Sequence, residues 1–440
     1  MNVKDILETA DRKLDIKKLR PMQERMLHEE AERMELAAPT GSGKTLAFTF
    51  YVLRRLKENA RGEVQAVVTV PSRELAIQVA DVMRRMAAGY KTTVLYGGHK
   101  MEEEVKSLTP VPDIIIATPG RLTDHLERGT VELSSVKTVV LDEYDKSLEL
   151  GFEREMKYIF KRLKGVKNIV LTSATRSGES MPDWIGEGAF ISLDYTSSGK
   201  PDLDIVEVES PSKDKAQTLV DLLYALPAGG KTIVFVNHRE SAERLHVYLR
   251  KHRITAALYH GGLDQHRRET ALTLFANGSA PVLVSTDLAG RGLDIAEVDA
   301  VVHYHLPPSV ESWIHRNGRT ARNGSAGEVY IIISEADNVP DYVRADRKWY
   351  PPESGDRKSV RSDISTLHIN AGKKDKISKG DIVGYLTGRG GIDGKEIGAI
   401  KLMDHESLVA VPSAKIGDII NQAERYKLKN QKVRLSEIKA

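Results

Sequence analysis

Short runs of aliphatic and β-branched residues recur between helix-forming stretches along most of the chain, and this alternation narrows the possible folds more than any other feature. VQAVVTV (64–70), DIIIAT (113–118), TVVLD (138–142) and NIVLTS (168–173) are such runs, and SRELAIQVADVMRRM (72–86) is the clearest intervening helix. A run that is apolar throughout suits a strand covered on both faces, as in a parallel sheet with crossover helices. After the hydrophilic YTSSGKPD (195–202) the pattern restarts with KTIVFVN (231–237), TAALYHG (255–261), PVLVSTD (281–287) and AVVHYHL (300–306). RKWYPPESGDRKSVRSD (347–363), rich in charge, Pro and Ser, reads as a linker. A β-α-β-β-α-β series follows: TLHIN (366–370), GDIVGYL (380–386), EIGAIKL (396–402), SLVAVP (407–412), AKIGDIINQ (414–422) and KVRLSEI (432–438). The expected fold is α/β: two tandem doubly wound parallel-sheet domains over 1–200 and 201–346, a linker over 347–363, and a small α+β domain over 364–440.

LAAPTGSGKT (36–45) couples a short strand to the helical TLAFTFYVLRRLKE. A glycine-rich turn at a helix N-terminus offers backbone N–H groups to phosphate, with the helix dipole assisting. Thr40, Gly41, Ser42 and Gly43 form that turn, Lys44 can reach the β- and γ-phosphates, and Thr45 can ligate Mg²⁺. Ala38 stands where the usual pattern has its first glycine. VVLDEYD (139–145) then becomes legible. Carboxylates crowded at a strand end could simply cap the next helix. Beside a phosphate loop, however, Asp142 is placed to hold Mg²⁺, through water, and Glu143 to orient or deprotonate the attacking water.

Composition adds limits. The 440 residues leave room for two or three domains, and the absence of cysteine excludes disulfides and thiolate metal sites. The N-terminal MNVKDILETADRKLDIKKL is charged throughout, and no run approaches the roughly 18 apolar residues of a membrane span, so a cytoplasmic protein without membrane association is expected. Residues 363–440 carry fourteen Lys and Arg against ten Asp and Glu, although the whole chain is only +3, which hints at an anionic partner for the C-terminal part.

DEYD is similar to the motif that names the DEAD-box RNA helicases, and further motifs of that family stand in its order: PMQ (21–23), APTGSGKT (38–45), PSRELA (71–76), GG (97–98), TPGR (118–121), SAT (173–175), STDLAGRGLDI (285–295) and HRNGRTAR (315–322). The resemblance implies two RecA-like domains that close on ATP and RNA. It implies that Gln23 reads the adenine edge, that Asp294 meets the ribose, and that Arg319 and Arg322 act as arginine fingers, a role suited to a permanent charge with a planar fork. It further implies that Asp145, Ser173, Thr175 and His315 couple the ATP cleft to RNA. RNA would be held through Pro71, Arg73, Gly97, Gly98, Thr118, Pro119, Gly120 and Arg121 on the first domain, and Gln265, Arg268, Thr286 and Arg291 on the second, contacts that follow the backbone without reading bases. Two positions depart from the family: Ile6 where an aromatic usually stacks on adenine, and Tyr144 in place of a small residue. His303, His305 and His315 lie close in sequence but lack the partners of a metal site.

The C-terminal stretch resembles the RNA-binding module of the DbpA/YxiN subgroup, an RRM-like domain that docks on a hairpin of 23S ribosomal RNA and delivers the core to adjacent duplexes of the assembling large subunit. Because SLVAVPS lacks an aromatic and TLHIN offers only His368, Lys373, Lys374, Lys376 and Arg389 are the expected RNA contacts rather than the sheet. Leu408 stands where the subgroup often has tyrosine. The implied protein is a monomeric, RNA-dependent ATPase that locally unwinds short duplexes. The rival readings are an ATP-gated RNA clamp and a DNA helicase of the same superfamily.

Overall fold

The computed structural model describes residues 1–39, 41–58, 62–98, 100–174, 182–186, 188–197, 202–287, 298–321, 326–350 and 360–438. Among these, the chain separates into two compact units, one ending near residue 200 and the other containing the rest.

In the first unit the strands are β1 (Arg33–Ala37), β2 (Ala66–Thr69), β3 (Thr92–Leu95), β4 (Ile114–Ala117), β5 (Thr138–Leu141), β6 (Asn168–Ser173) and β7 (Ile191–Asp194). They form one parallel sheet in the order β3-β4-β2-β5-β6-β1-β7. The helices are α1 (Val3–Leu14), α2 (Pro21–His28), α3 (Lys44–Arg55), α4 (Arg73–Met86), α5 (Met101–Ser107), α6 (Pro119–Glu127), α7 (Tyr144–Glu149) and α8 (Glu153–Phe160). Each forms for local reasons that α4 illustrates. Ser72 caps it by accepting the Leu75 N–H, Glu74 sits in its first turn, and Arg84 and Arg85 sit in its last, matching the dipole. Leu75, Ala76, Val79, Ala80, Met83 and Met86 recur at helical spacing and are buried in one core. Each of the larger ones contributes about 1.5–3 kcal/mol by leaving water. A second core of Leu122, Leu126, Met156 and Ile159 lines the opposite face of the sheet.

The second unit repeats the scheme. Its strands are β8 (Asp202–Ser210), β9 (Thr232–Phe235), β10 (Ala256–Tyr259), β11 (Val282–Ser285), β12 (Ala300–His303), β13 (Ala326–Ser334) and β14 (Arg347–Trp349), all parallel, in the order β10-β11-β9-β12-β13-β8-β14. Counted from its own first strand, this is the same order as in the first unit. Its helices are α9 (Ala216–Ala225), α10 (Arg239–Lys251), α11 (Gln265–Ala276) and α12 (Val310–Asn317). One boundary needs correction. Arg347–Trp349, expected to begin the linker, form an edge strand on β8, where Arg347 pairs with Asp204 at 2.7 Å and Lys348 with Glu207 at 2.7 Å. Charged residues suit a strand with one open edge, which is why the segment reads as a linker in sequence.

The C-terminal module comprises β15 (Ile364–Ile369), α13 (Lys379–Arg389), β16 (Ile400–Leu402), β17 (Ser407–Pro412), α14 (Ile416–Ala423), a small hairpin of β18 (Lys427–Leu428) and β19 (Gln431–Lys432), and β20 (Leu435–Ile438). Its antiparallel sheet runs β16-β17-β15-β20. Leu367, Ile369, Val409 and Val411 face the two helices in the module core. The other face, which alternation assigns to Thr366, His368, Leu408 and Ala410, would ordinarily be wet. Instead Thr366 is 0%, Leu408 1% and Ala410 2% exposed. The second parallel-sheet domain reaches this face. Asn277 donates to the Thr366 hydroxyl at 2.8 Å, Ser279 shares a 2.6 Å bond with it, and Glu406 bridges His266 (2.6 Å) and His368 (3.0 Å). The lack of aromatics here accords with a face that contacts protein, and Leu408 is buried on it. Thr366→Val keeps the shape and removes the hydroxyl, leaving Asn277 and Ser279 with unmet hydrogen bonds at about 1–3 kcal/mol. Amide exchange at 277–279 and 364–369 should then accelerate about tenfold, with β9 unaffected.

Candidate nucleotide and RNA sites

β1 ends at the sheet edge where the phosphate loop begins. Ala38 is fully buried and donates its N–H to the Ser173 carbonyl at 3.2 Å, so a side chain is accommodated where the usual pattern has glycine. Gly43 is the cap of α3 with φ +91°, a left-handed conformation suited to glycine. A Cβ there would lie 2.4 Å from Gln23 Nε2. Gln23 is thus laid against the loop, with its amide carbonyl accepting the Arg20 N–H at 3.0 Å and its Nε2 facing the Gly43 carbonyl at 3.4 Å. Gly41 also has positive φ, +77°, and its carbonyl accepts from Arg20 Nη1 at 3.2 Å. Lys44 folds over the loop, donating to the Ala38 and Pro39 carbonyls at 2.5 and 3.0 Å. Thr45 follows on the first turn of α3, and Thr40 lies outside the described residues. Ile6 is wholly buried in the core with Met26 and Leu27, so its side chain offers no exposed face to a base.

The acidic turn leaves β5, separated from β1 only by β6. Asp142 N–H donates to the Thr69 carbonyl at 2.9 Å, and its carboxylate accepts a short hydrogen bond from Thr172. The same hydroxyl oxygen accepts the Glu143 N–H at 3.2 Å. Thr172 therefore ties β6 to both acids, a role the SAT motif did not signal because Thr172 precedes it. Ser173 is fully buried at the end of β6, Asp145 lies in the first turn of α7, and Thr175 is outside the described residues. Burial, then the like charge of Asp145, pushes the Asp142 carboxyl above its ordinary range, while Thr172 and Lys44 oppose the rise. Glu143 holds φ +49°, left-handed and strained for a non-glycine, with its side chain at the turn rather than in the sheet. Tyr144 points its ring into the core and donates to Glu35 at 3.4 Å, which is the room the substitution required.

On the same edge, Arg73 begins α4 and lies across the turn after β3. Cβ atoms on Gly97 and Gly98 would approach its guanidinium to 3.2 and 2.7 Å, and Gly98 has φ +105°. The two glycines therefore make room for the arginine. Pro71 is two residues before Arg73, next to Val70, whose N–H bonds the Ala117 carbonyl at 3.0 Å. Thr118 stands at the N-cap position of α6 without a side-chain cap bond, Pro119 is its first residue, and a Cβ on Gly120 would meet nothing within 4 Å, so the main chain is open at that residue. Arg121 is turned inward, 14% exposed, onto Glu104 and Asp124.

The second unit repeats this construction at equivalent positions. Arg239 begins α10, and Cβ atoms on Gly261 and Gly262, after β10, would each lie 3.4 Å from it. Sequence analysis missed this grip, although HRESA and GG at 238–242 and 261–262 echo SRELA and GG at 72–76 and 97–98.

Residues 20–183 match the DEAD/DEAH box helicase family, 214–324 the helicase conserved C-terminal domain, and 366–437 the DbpA RNA binding domain. The ATP-dependent RNA helicase DbpA of Escherichia coli strain K12 is 35% identical over 92% of this chain and 91% of its own. The chain belongs to the DEAD-box ATP-dependent RNA helicases. Two solved structures share the fold at 24% identity: the DEAD-box helicase Mss116 bound to ssRNA and UDP-BeF (TM-score 0.69, 80% of this chain and 81% of that one) and S. cerevisiae Dbp5 bound to RNA and ADP BeF3 (TM-score 0.64, 75% and 87%). The two parallel-sheet domains are RecA-like, and this helicase is an RNA-dependent ATPase of DbpA type with an RNA-binding C-terminal module.

Within the helicase's second unit, α12 carries His315, Arg316 and Asn317. Arg316, not singled out from sequence, is fully buried and holds three turns together, bonding Asp287 at 2.5 Å, the His305 carbonyl at 2.9 Å and Asn237 at 2.8 Å. Arg319 and His315 are also buried. Gln265 and Arg268 pair at 2.6 Å on α11, and Thr286 is half-buried after β11. Arg291, Asp294 and Arg322 lie outside the described residues. His303 bonds Asn317 at 2.8 Å and stacks on Trp313, and His305 accepts the Asn237 N–H at 3.1 Å. Among the described residues no group of three or more His, Asp or Glu could hold a metal ion by itself. In the module, Lys373 and Lys374 share a 3₁₀ turn that Lys376 ends, Lys374 pairs with Asp404 at 2.8 Å, and Arg389 lies 4.5 Å from the centre of the Tyr426 ring. No described helix is long and apolar enough to cross a membrane.

Two outcomes follow. Gly43→Ala adds a strained φ and a clash with Gln23, so affinity for a fluorescent ADP should fall at least about tenfold, roughly the effect of 1–2 kcal/mol of left-handed strain. Burial, with the Arg316 charge, lowers the His303 pKa to about 3. The unfolded chain then takes up a proton below about pH 6.5 that the native state refuses, so His303 alone should cost the second unit on the order of 1.4 kcal/mol per pH unit between about 6.5 and about 3, beside the like contribution of His305, lowered by burial to about 4. His303→Gln should flatten that slope in urea titrations.

Proposed function

We propose that this helicase acts in assembly of the large ribosomal subunit, where residues 364–440 bind a hairpin of 23S ribosomal RNA and the RecA-like domains separate neighbouring short duplexes. The observation that carries this reading is the match of residues 366–437 to the DbpA RNA binding domain, together with a DbpA relative alignable along 92% of the chain. Lys373, Lys374, Lys376 and Arg389 offer the module's positive charge. Closed-over Thr366 and Leu408 support binding away from the sheet face.

In the core, the loop of residues 40–45 cradles the triphosphate, Gln23 selects adenine and Asp294 the ribose. Mg²⁺ would be held by the Thr45 hydroxyl and, through water, by Asp142, and when bound it supplies positive charge against the phosphate oxygens. The residues fit such an ion: Asp142 is a buried carboxylate raised by desolvation beside Lys44, and the remaining ligands of a Mg²⁺ site come from water and phosphate. Glu143 orients the attacking water, and Lys44, Arg319 and Arg322 stabilise charge on the transferred phosphoryl group. Asp145, Ser173, Thr175 and His315 transmit RNA binding to that site. RNA is followed along its backbone by Pro71, Arg73, Gly97, Gly98 and 118–121 of the first unit and by Gln265, Arg268, Thr286 and Arg291 of the second.

Steady-state ATP hydrolysis without RNA, with generic RNA, and with a 23S fragment containing the peptidyl-transferase-region hairpin tests the assignment at fixed salt. Stimulation chiefly by the ribosomal fragment is expected, and equal stimulation by any RNA would reduce the module to a general anchor. Glu143→Gln should lower turnover by about 10²–10⁴ while ADP binding persists. Wild-type turnover in that variant would remove Glu143 from the mechanism.

A further inference from the structure

We propose that Glu104, which lies in none of the motifs, is a positioning residue that locks the two RNA-facing turns of the first unit, 96–98 and 118–121, at a set separation. The inference rests on the reading of those turns as RNA contacts. Glu104 projects from α5 and is 6% exposed. Its Oε1 accepts the N–H of Tyr96, the residue before Gly97, at 3.1 Å. Its Oε2 accepts from Arg121 Nε at 2.5 Å and faces His125 Nε2 at 3.0 Å. One carboxylate therefore bonds the chain entering the glycine turn after β3 and the residue closing the turn after β4, and these strands are sheet neighbours.

The surroundings hold that carboxylate charged and still. His125 is fully buried, and its other ring nitrogen bonds Thr130 at 2.7 Å. Arg121 is braced on its far side by Asp124, which itself binds Arg128 at 2.7 Å. Burial opposes ionisation of Glu104, but the hydrogen bonds of His125, Arg121 and the Tyr96 N–H outweigh it and keep its pKa below the ordinary value. An apolar residue in its place would leave the inward-turned Arg121 and the Tyr96 N–H without that acceptor. The arrangement also directs Arg121 away from solvent. What the 118–121 turn presents is the start of α6, where Gly120 leaves the main chain open. Arg73, lying against Gly97 and Gly98, supplies a cation at the other turn. Phosphates spaced along a strand would meet both features only if the turns keep their separation, which is the property Glu104 controls.

The test uses the full-length protein, ATP with Mg²⁺, and a single-stranded oligouridylate that lacks the structured target of the C-terminal module. In Glu104→Ala the RNA concentration giving half-maximal ATPase should rise about tenfold, with kcat at saturating RNA changed less than about twofold. Glu104→Gln, whose single carbonyl oxygen can still accept the Tyr96 N–H but sets an NH₂ against Arg121, should recover half-saturation only in part, to a value between those of Glu104→Ala and wild type. Unchanged half-saturation in Glu104→Ala overturns the proposal. So does equal impairment of Gln and Ala variants with a lowered melting temperature, which would make Glu104 a plain core residue. Where oligouridylate does not stimulate the wild type, the same half-saturation series is read on the 23S fragment with a single-stranded extension, and failure of both RNAs to stimulate the wild type would instead overturn the RNA assignment of the two turns.

Discussion

A parallel sheet brings the carboxyl ends of its strands to one edge, and everything this helicase needs depends on that constraint. β1 delivers the phosphate loop, β5 the acidic turn, β6 Thr172 and Ser173, β3 the glycine pair and β4 the start of α6. None of these residues has to be brought in by a long loop, because crossover helices return the chain to the opposite edge each time. The second unit, with the same strand order, places Asn237, Asp287 and His305 at the equivalent edge, where the buried Arg316 fastens them.

The same edge concentrates charge where water is scarce. Asp142 and Glu143 are almost fully buried, and the main chain at Glu143 is held in a conformation that costs energy. Thr172 offsets part of this by hydrogen-bonding Asp142 and accepting from Glu143. The rest suits a cationic ligand.

Most strands buried on both faces were legible because their runs are uniformly apolar, and β6 and β17 agree with the sequence reading to the residue, but the largely apolar β13 went unread. β3, β7 and β14 were harder. TTVL alternates, ISLD is largely exposed, and RKW carries its charges on a sheet edge, so each imitates a loop. At the sites, the phosphate loop and acidic turn were readable because their chemistry depends on consecutive residues. Thr172, Arg239, Arg316 and Glu104 were not, since each acts across the sheet on partners distant in sequence. The covered face of the C-terminal module left a trace, its lack of aromatics, but only packing shows that the trace marks a protein contact.

That contact has a mechanical meaning. With Thr366 bonded to Asn277 and Ser279, and Glu406 held between two histidines, the module is fastened to the second RecA-like domain by side chains. Whatever the module grips becomes cargo of that domain. The direction in which it holds that cargo is then fixed by side-chain bonds on the sheet face.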